Sequence, residues 1–193
     1  AKNCLSIMRA DAHLDAVAVA HDGEAVLRDG DCIQVGIGAL PTAVVIALRD
    51  SNLRHLGVHS EMIGEYAFTL SEAGVMDNSR KNFMRGRCTW AYIMPVDTPR
   101  YYEWLHRNPF FAGCDIGFTN NSLSLASNDN MVTINNFAQM DIRGQDAAGN
   151  VGGRPISSTG GQFQFAIGAS LAKGGRAILA ATSRDPKGKS RIV

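Results

Sequence analysis

The chain has 193 residues, of which 45% are apolar and 19% charged, with a formal net charge of +1. This is enough apolar material for one large domain, or a domain with an arm. It excludes a strongly basic nucleic-acid footprint and a charge-driven disordered tail. No apolar run approaches the roughly 18 residues that a membrane span needs, and no secretory signal is visible. The four cysteines, Cys4, Cys32, Cys88 and Cys114, form no C-x-x-C pair. They signal neither a zinc site nor a redox motif and read as reduced thiols of a cytoplasmic protein. The chain opens on Ala1 and stops in the apolar run Arg191-Ile192-Val193. A fragment of a longer polypeptide is the simplest expectation, although a processed chain would look the same.

In chain order, Asp11 to Leu27 carries a helical apolar pattern interrupted by Asp22-Gly23, so residues 1–28 read as a helical lead-in. Asp29-Gly30-Asp31 is a turn and Cys32 to Val35 a short buried strand. Gly36 to Pro41 breaks the strand, and Thr42 to Arg49 is a helix with Pro41 in its first turn. The plan then repeats. Leu56 to His59 is strand-like, Ser60-Glu61-Met62 a turn, and Tyr66 to Ala73 a helix ended by Gly74. Cys88 to Met94 reads as a strand and Pro99 to His106 as a helix. Ile116 to Thr119, Met131 to Ile134 and Ala138 to Ile142 read as strands. A glycine-rich stretch from Gly144 to Gly161 follows, then a helix over Phe163 to Ala172, a strand over Ala177 to Ala181 and an exposed loop over Ser183 to Ser190. Alternating strands and helices predict an α/β domain with a mainly parallel mixed sheet flanked by helices. The late, closely spaced strands are expected to add antiparallel pieces.

Three constellations have chemical content. In Val35-Gly36-Ile37-Gly38-Ala39-Leu40-Pro41 a strand passes through two glycines into a helix start. Such a turn lets backbone approach a ligand and presents free N–H groups to an anion; it is equally an ordinary tight βα turn. It is not a dinucleotide fingerprint, because Pro41 replaces the third glycine, nor a P-loop. His59-Ser60-Glu61-Met62 stands at the end of a strand, where ligands collect in open α/β sheets. Glu61 there suits a nucleophile, a general base or a metal ligand, or else a helix cap or solvated carboxylate. The third constellation is Gly152-Gly153-Arg154 with Thr159-Gly160-Gly161-Gln162, either backbone lining a ligand or a mobile surface loop. No H-x-x-x-H motif exists, and Ser157 and Ser158 lack a G-x-S-x-G context. Trp90 and Trp104 read as core or interface groups.

Taken in order, these pieces resemble the acetyl-CoA hydrolase/transferase family, which includes 4-hydroxybutyrate and butyryl/acetate CoA-transferases. The resemblance runs through Gln34 to Pro41, Gly57 to Met62, Glu72 to Val75, Asn128 to Asn135, Met140 to Gln145, Val151 to Arg154, Gly160 to Phe163 and Lys187 to Val193. It spans nearly the whole chain from Asp29 onward. Each motif alone is common; their order and spacing together are specific.

The resemblance implies a NagB/RpiA/CoA-transferase-like fold. It also implies that residues 29–193 are the carboxyl-terminal catalytic domain of a two-domain enzyme whose amino-terminal domain lies outside this chain. Glu61 would attack acyl-CoA. Gly36, Gly38 and the N–H of Ala39 would face the active site, with Gly160 and Gly161 beside the thioester. Asn120 or Asn121 falls where the family carries a substrate-contacting Asn. Coenzyme A enters as substrate, no metal is required, the second substrate is a short-chain carboxylate, and a homo-oligomer is expected. Hydrolysis by the same glutamate and a catalytically silent CoA-binding domain are the alternatives. An ionised nucleophile calls for a cationic or N–H-rich setting. Three departures bear on substrate: Ile63-Gly64-Glu65-Tyr66 stands for the family's F-S-D-G, Gln164 for an acidic residue, and Ala181-Thr182-Ser183-Arg184 for P-S-T-A.

Overall fold

The computed structural model describes residues 6–9, 26–94, 99–158 and 160–193. Most of the helical pattern expected over Asp11 to Leu27 lies outside them. Within the lead-in, Ser6–Arg9 is extended rather than helical and forms the edge strand β1. There follow β2 (Cys32–Val35), α1 (Ala39–Arg49), β3 (Gly57–Val58), β4 (Met62–Ile63) and α2 (Glu65–Glu72). Next come β5 (Cys88–Trp90), β6 (Tyr92–Ile93), α3 (Pro99–Leu105), β7 (Phe111–Gly113), α4 (Ile116–Thr119) and α5 (Ser122–Ala126). The rest is β8 (Met131–Asn136), β9 (Gln139–Met140), β10 (Asp146–Ala147), β11 (Asn150–Val151), β12 (Arg154–Pro155), α6 (Gln162–Leu171) and β13 (Arg176–Ala181).

The main sheet has the order β1-β13-β8-β2-β3, and every pairing in it is parallel. A bridge from His59 to Thr89 carries it on to the parallel pair β5–β7. The antiparallel pieces, β9–β10 and β11–β12, stand outside the main sheet. Central parallel strands are covered on both faces and therefore read as continuous buried runs; β2 and the first five residues of β8 are buried throughout.

The pleat sorts these runs onto two faces. Ile33, Val35, Val132, Ile134 and Ile178 join the larger core with Val44 and Leu48 of α1 and Leu70 of α2. Cys32, Met131 and Ala177 join a second core with Leu125 of α5 and Phe165 and Ala169 of α6. By the same alternation Gln34, Thr133 and Asn135 follow on the second face towards the carboxyl ends of the strands. There the apolar layer gives way to amides: Gln34 and Asn135 exchange hydrogen bonds of 3.1 and 2.9 Å.

One expected strand is a helix. Ile116–Thr119 forms α4 because Asp115 caps it, its carboxylate accepting from Gly117 N at 2.7 Å. Asn121 caps the next short helix, α5, in the same way, accepting from Leu123 N at 2.9 Å. Both caps are residue types that favour helix starts, and they outweigh the apolar alternation of Ile-Gly-Phe-Thr. The expected strand over Cys88 to Met94 is broken at Ala91 into β5 and β6.

Candidate functional site

Glu61 lies three residues beyond β3, where the chain leaves the main sheet to enter β4. Its carbonyl accepts from both Ala91 N and Tyr92 N, at 2.9 and 3.1 Å, so its backbone is fastened to the β5–β6 junction. The preceding Ser60 closes the turn by donating its hydroxyl to Met62 O at 2.6 Å. The half-buried Glu61 side chain opens on a cleft of about 580 Å³ lined by Gln34, Gly36, Gly38, Tyr92, Asn135 and Gly161, among others. The cleft is open to solvent.

Two groups define the carboxylate's position. Asn120 Nδ2 donates to Glu61 Oε2 at 2.7 Å. Gly161 backs onto the same oxygen: a Cβ there would stand 2.0 Å from Glu61 Oε2 and 2.7 Å from Asn120 Nδ2. Only a residue without a side chain fits that approach. Of the two candidate asparagines, Asn120 reaches the glutamate, whereas Asn121 is occupied in capping α5.

The glycine turns contribute differently from one another. Gly36 lines the cleft, but its N–H donates to Ile134 O at 2.8 Å and is not available to a ligand. What Gly36 permits is a close approach, because a Cβ there would meet Asn135 Oδ1 at 2.7 Å. Gly38, at φ 119°, is the N-cap of α1 and takes a backbone conformation that side chains resist. The first-turn N–H groups of α1 at Ala39 and Leu40 have no intrahelical acceptor. Gly160, at φ +59°, turns the chain into Gly161, the N-cap of α6. The amino ends of α1 and α6 thus both meet the cleft that holds Glu61, and helix amino ends favour negative charge. No lysine or arginine is among the described residues that line the cleft.

Beneath Glu61 lies His59, fully buried. Its Nε2 hydrogen-bonds the carbonyl of Thr119 at 3.0 Å and its Nδ1 meets Asn128 Nδ2 at 3.1 Å. A carbonyl only accepts and an amide NH₂ only donates, so Nε2 carries the proton and the ring is neutral. Burial first, and then the charge of Lys81, push its pKa down to about 4. Lys81 is itself buried and donates to Val58 O, Arg87 O and Thr89 Oγ1 at 2.8, 2.7 and 3.0 Å. Loss of hydration lowers its pKa too.

Gln34, Thr119, Asn128 and Asn135 fall inside motifs or elements named from the sequence, but no role is legible for them there. The available signal was the period-two alternation of β2 and β8, which puts Gln34 and Asn135 on a buried face as amides that need partners. Gly152 and Gly153 form the β11–β12 turn and Arg154 begins β12; all three are exposed and do not line the cleft. Among the described residues no cluster of three or more His, Cys, Asp or Glu is placed to hold a metal ion. No described helix is long and apolar enough to cross a membrane.

Residues 98–193 match the acetyl-CoA hydrolase/transferase C-terminal domain, a span that holds Asn120 and Gly161 but begins after Glu61. The chain belongs to the acetyl-CoA hydrolase/transferase family. It is 39% identical over 177 residues to 4-hydroxybutyrate coenzyme A transferase of Clostridium kluyveri, covering 91% of this chain and 40% of that protein. It is 37% identical over 171 residues to butyryl-CoA:acetate CoA-transferase of Anaerostipes caccae, covering 86% and 38%. The crystal structure of RipA from Yersinia pestis matches with a TM-score of 0.81 at 34% identity, covering 97% of this chain and 42% of that one. A 4-hydroxybutyrate CoA-transferase from Porphyromonas gingivalis matches with a TM-score of 0.78 at 28% identity, covering 98% and 44%. The chain therefore spans about 40% of the length of the family members it matches.

Proposed function

We propose that this chain is the glutamate-bearing half of an acyl-CoA:carboxylate CoA-transferase, with Glu61 as the covalent nucleophile. The observation that carries the reading is the seat of the Glu61 carboxylate, held by Asn120 Nδ2 at 2.7 Å against a glycine that leaves it room. A solvated or capping carboxylate has no need of such a seat.

In the proposed cycle a Glu61 oxygen attacks the thioester carbon of acyl-CoA. A C–O bond forms, the tetrahedral oxyanion collapses and the C–S bond breaks, giving a mixed anhydride and CoA thiolate. The thiolate attacks the glutamyl carbonyl carbon and expels the acyl group as its carboxylate, which leaves a glutamyl-CoA thioester. An incoming carboxylate takes the CoA by the same steps reversed. Each step develops an oxyanion, and one preorganised donor to it contributes about 3 kcal/mol. Asn120 Nδ2 and the first-turn N–H groups of α1 and α6 are the donors at hand. The curated relatives are named as transferases, which favours an acid over water as the acceptor.

The test uses the full-length protein, treated with acyl-CoA and then borohydride. Reduction of the glutamyl thioester by two hydrides, a four-electron change that leaves a primary alcohol at Glu61 and releases CoA as its thiol, is the expected result, located by mass spectrometry. Label on another residue, or on none, removes the assignment. CoA release that does not depend on an acceptor acid turns the reading into that of a hydrolase.

A further inference from the structure

We propose that Thr119, itself held by the buried His59, is a positioning residue that turns the Asn120 amide so that its NH₂ end faces Glu61. This rests on the reading of Glu61 as nucleophile. A carboxamide has a donating end and an accepting end of nearly the same shape. Rotated by half a turn, Asn120 would set its oxygen against the Glu61 carboxylate, replacing a charge-assisted hydrogen bond by repulsion between two oxygens. Something must fix the rotation, and the carboxylate is not alone in doing so.

The Thr119 hydroxyl stands 3.1 Å from Asn120 Oδ1 and donates to it. Its other acceptor in reach, Ile116 O, is farther, at 3.3 Å. Thr119 is fully buried, so water does not substitute for the hydroxyl. The backbone of Thr119 is tied down in turn, because its carbonyl accepts from His59 Nε2 at 3.0 Å. Asn128 Nδ2, donating to Nδ1 at 3.1 Å, selects the tautomer able to make that bond. Phe83 and Phe118 flank the imidazole, with ring centroids at 6.4 and 6.3 Å. The path runs from His59 through Thr119 and Asn120 to Glu61, leaving the strand end and returning to it two residues later. His59 does not line the cleft, and neither does Thr119. Both act through Asn120.

The test is steady-state kinetics of the full-length protein with an acyl-CoA and acetate. Thr119→Val removes the hydroxyl and keeps the volume. We expect kcat to fall ~10–100-fold with KM within about twofold, the range for groups that orient a reacting residue. Thr119→Ser, which restores the hydroxyl, returns kcat to within about threefold of the parent. In an Asn120→Ala background, Thr119→Val changes kcat by less than about twofold, because the group it acts through is gone. Wild-type kcat in Thr119→Val, a Thr119→Ser variant as poor as the valine, or full additivity with Asn120→Ala each overturns the proposal. If the valine variant does not fold, Thr119→Ala carries the same expectations. Glu61→Ala, run in parallel, separates the two readings. Inactive Glu61→Ala beside fully active Thr119→Val removes the positioning role alone; active Glu61→Ala removes both.

Discussion

At Gly161 a hydrogen atom in place of a methyl group leaves room for the Glu61 carboxylate. Its φ of −91° suits any residue, so substitution there does not strain the backbone. The obstacle is the Glu61 carboxylate, 2.0 Å from where a Cβ would stand. Gly161→Ala is therefore expected to leave the unfolding midpoint within a few degrees of wild type. Turnover should drop by at least about 100-fold, because a displacement of roughly 1 Å at a reacting group costs that much. Activity within a few-fold of wild type would show that the carboxylate does not work from this seat. That Glu61 and Gly161 lie together was readable in the sequence, since the order of the motifs carried both. The choice between Asn120 and Asn121 was not, because adjacent residues of one type differ only in which way the backbone turns them. The caps at Asp115 and Asn121 make that turn.

Among the elements, the central parallel strands β2, β8 and β13 were legible because burial on both faces leaves uninterrupted apolar runs, whereas β1 and β7 were not. The short helices α4 and α5 were not, because four or five residues hold too little periodicity to outweigh alternation, and only the caps betray them. These helices are fastened to the sheet by tertiary contacts that sequence patterns do not carry. Gly168 of α6 lets Leu125 of α5 close in, since a Cβ would stand 2.4 Å from Leu125 Cβ. His59 fastens the end of β3 to α4 through Thr119 and to the segment after α5 through Asn128. This junction is acid-sensitive. The His59 pKa, pushed down to about 4 by burial, lies below its ordinary 6.5. Between these values the unfolded chain binds a proton that the folded chain refuses. The stability is therefore fully present above pH 6.5 and is lost as pH falls towards 4. Wild type is expected to lose about 2 kcal/mol of unfolding free energy between pH 7 and pH 5 from this group. His59→Gln, which keeps a donor but does not titrate, should be less stable at pH 7 and should lack that loss. Urea titrations of both proteins at the two pH values measure it, and equal pH dependence in the two would exclude His59 as the source.

The described residues present an open cleft rather than an enclosed site. The molecule's two larger cores lie on opposite faces of the parallel main sheet, and a domain of 193 residues buries enough surface to fold unaided. The cleft at Glu61, by contrast, is open to solvent. On the proposed reading, the polypeptide that makes up the other three-fifths of the matched relatives supplies the opposite wall. On that reading, catalysis of acyl transfer depends on that wall. It excludes water, which strengthens each N–H donor and protects the mixed anhydride and the glutamyl thioester from hydrolysis. It also orients the thioester for attack, a contribution of about 7 to 11 kcal/mol in favourable cases. The 193-residue chain expressed alone is therefore expected to unfold in one cooperative thermal transition yet to turn over acyl-CoA at least about 1,000-fold more slowly than the full-length protein. Calorimetry and a CoA-release assay on both preparations measure the two halves of that statement. Turnover by the isolated chain within about tenfold of the full-length protein would mean that Glu61 needs no second wall. A non-cooperative transition would mean that the sheet itself is completed from outside.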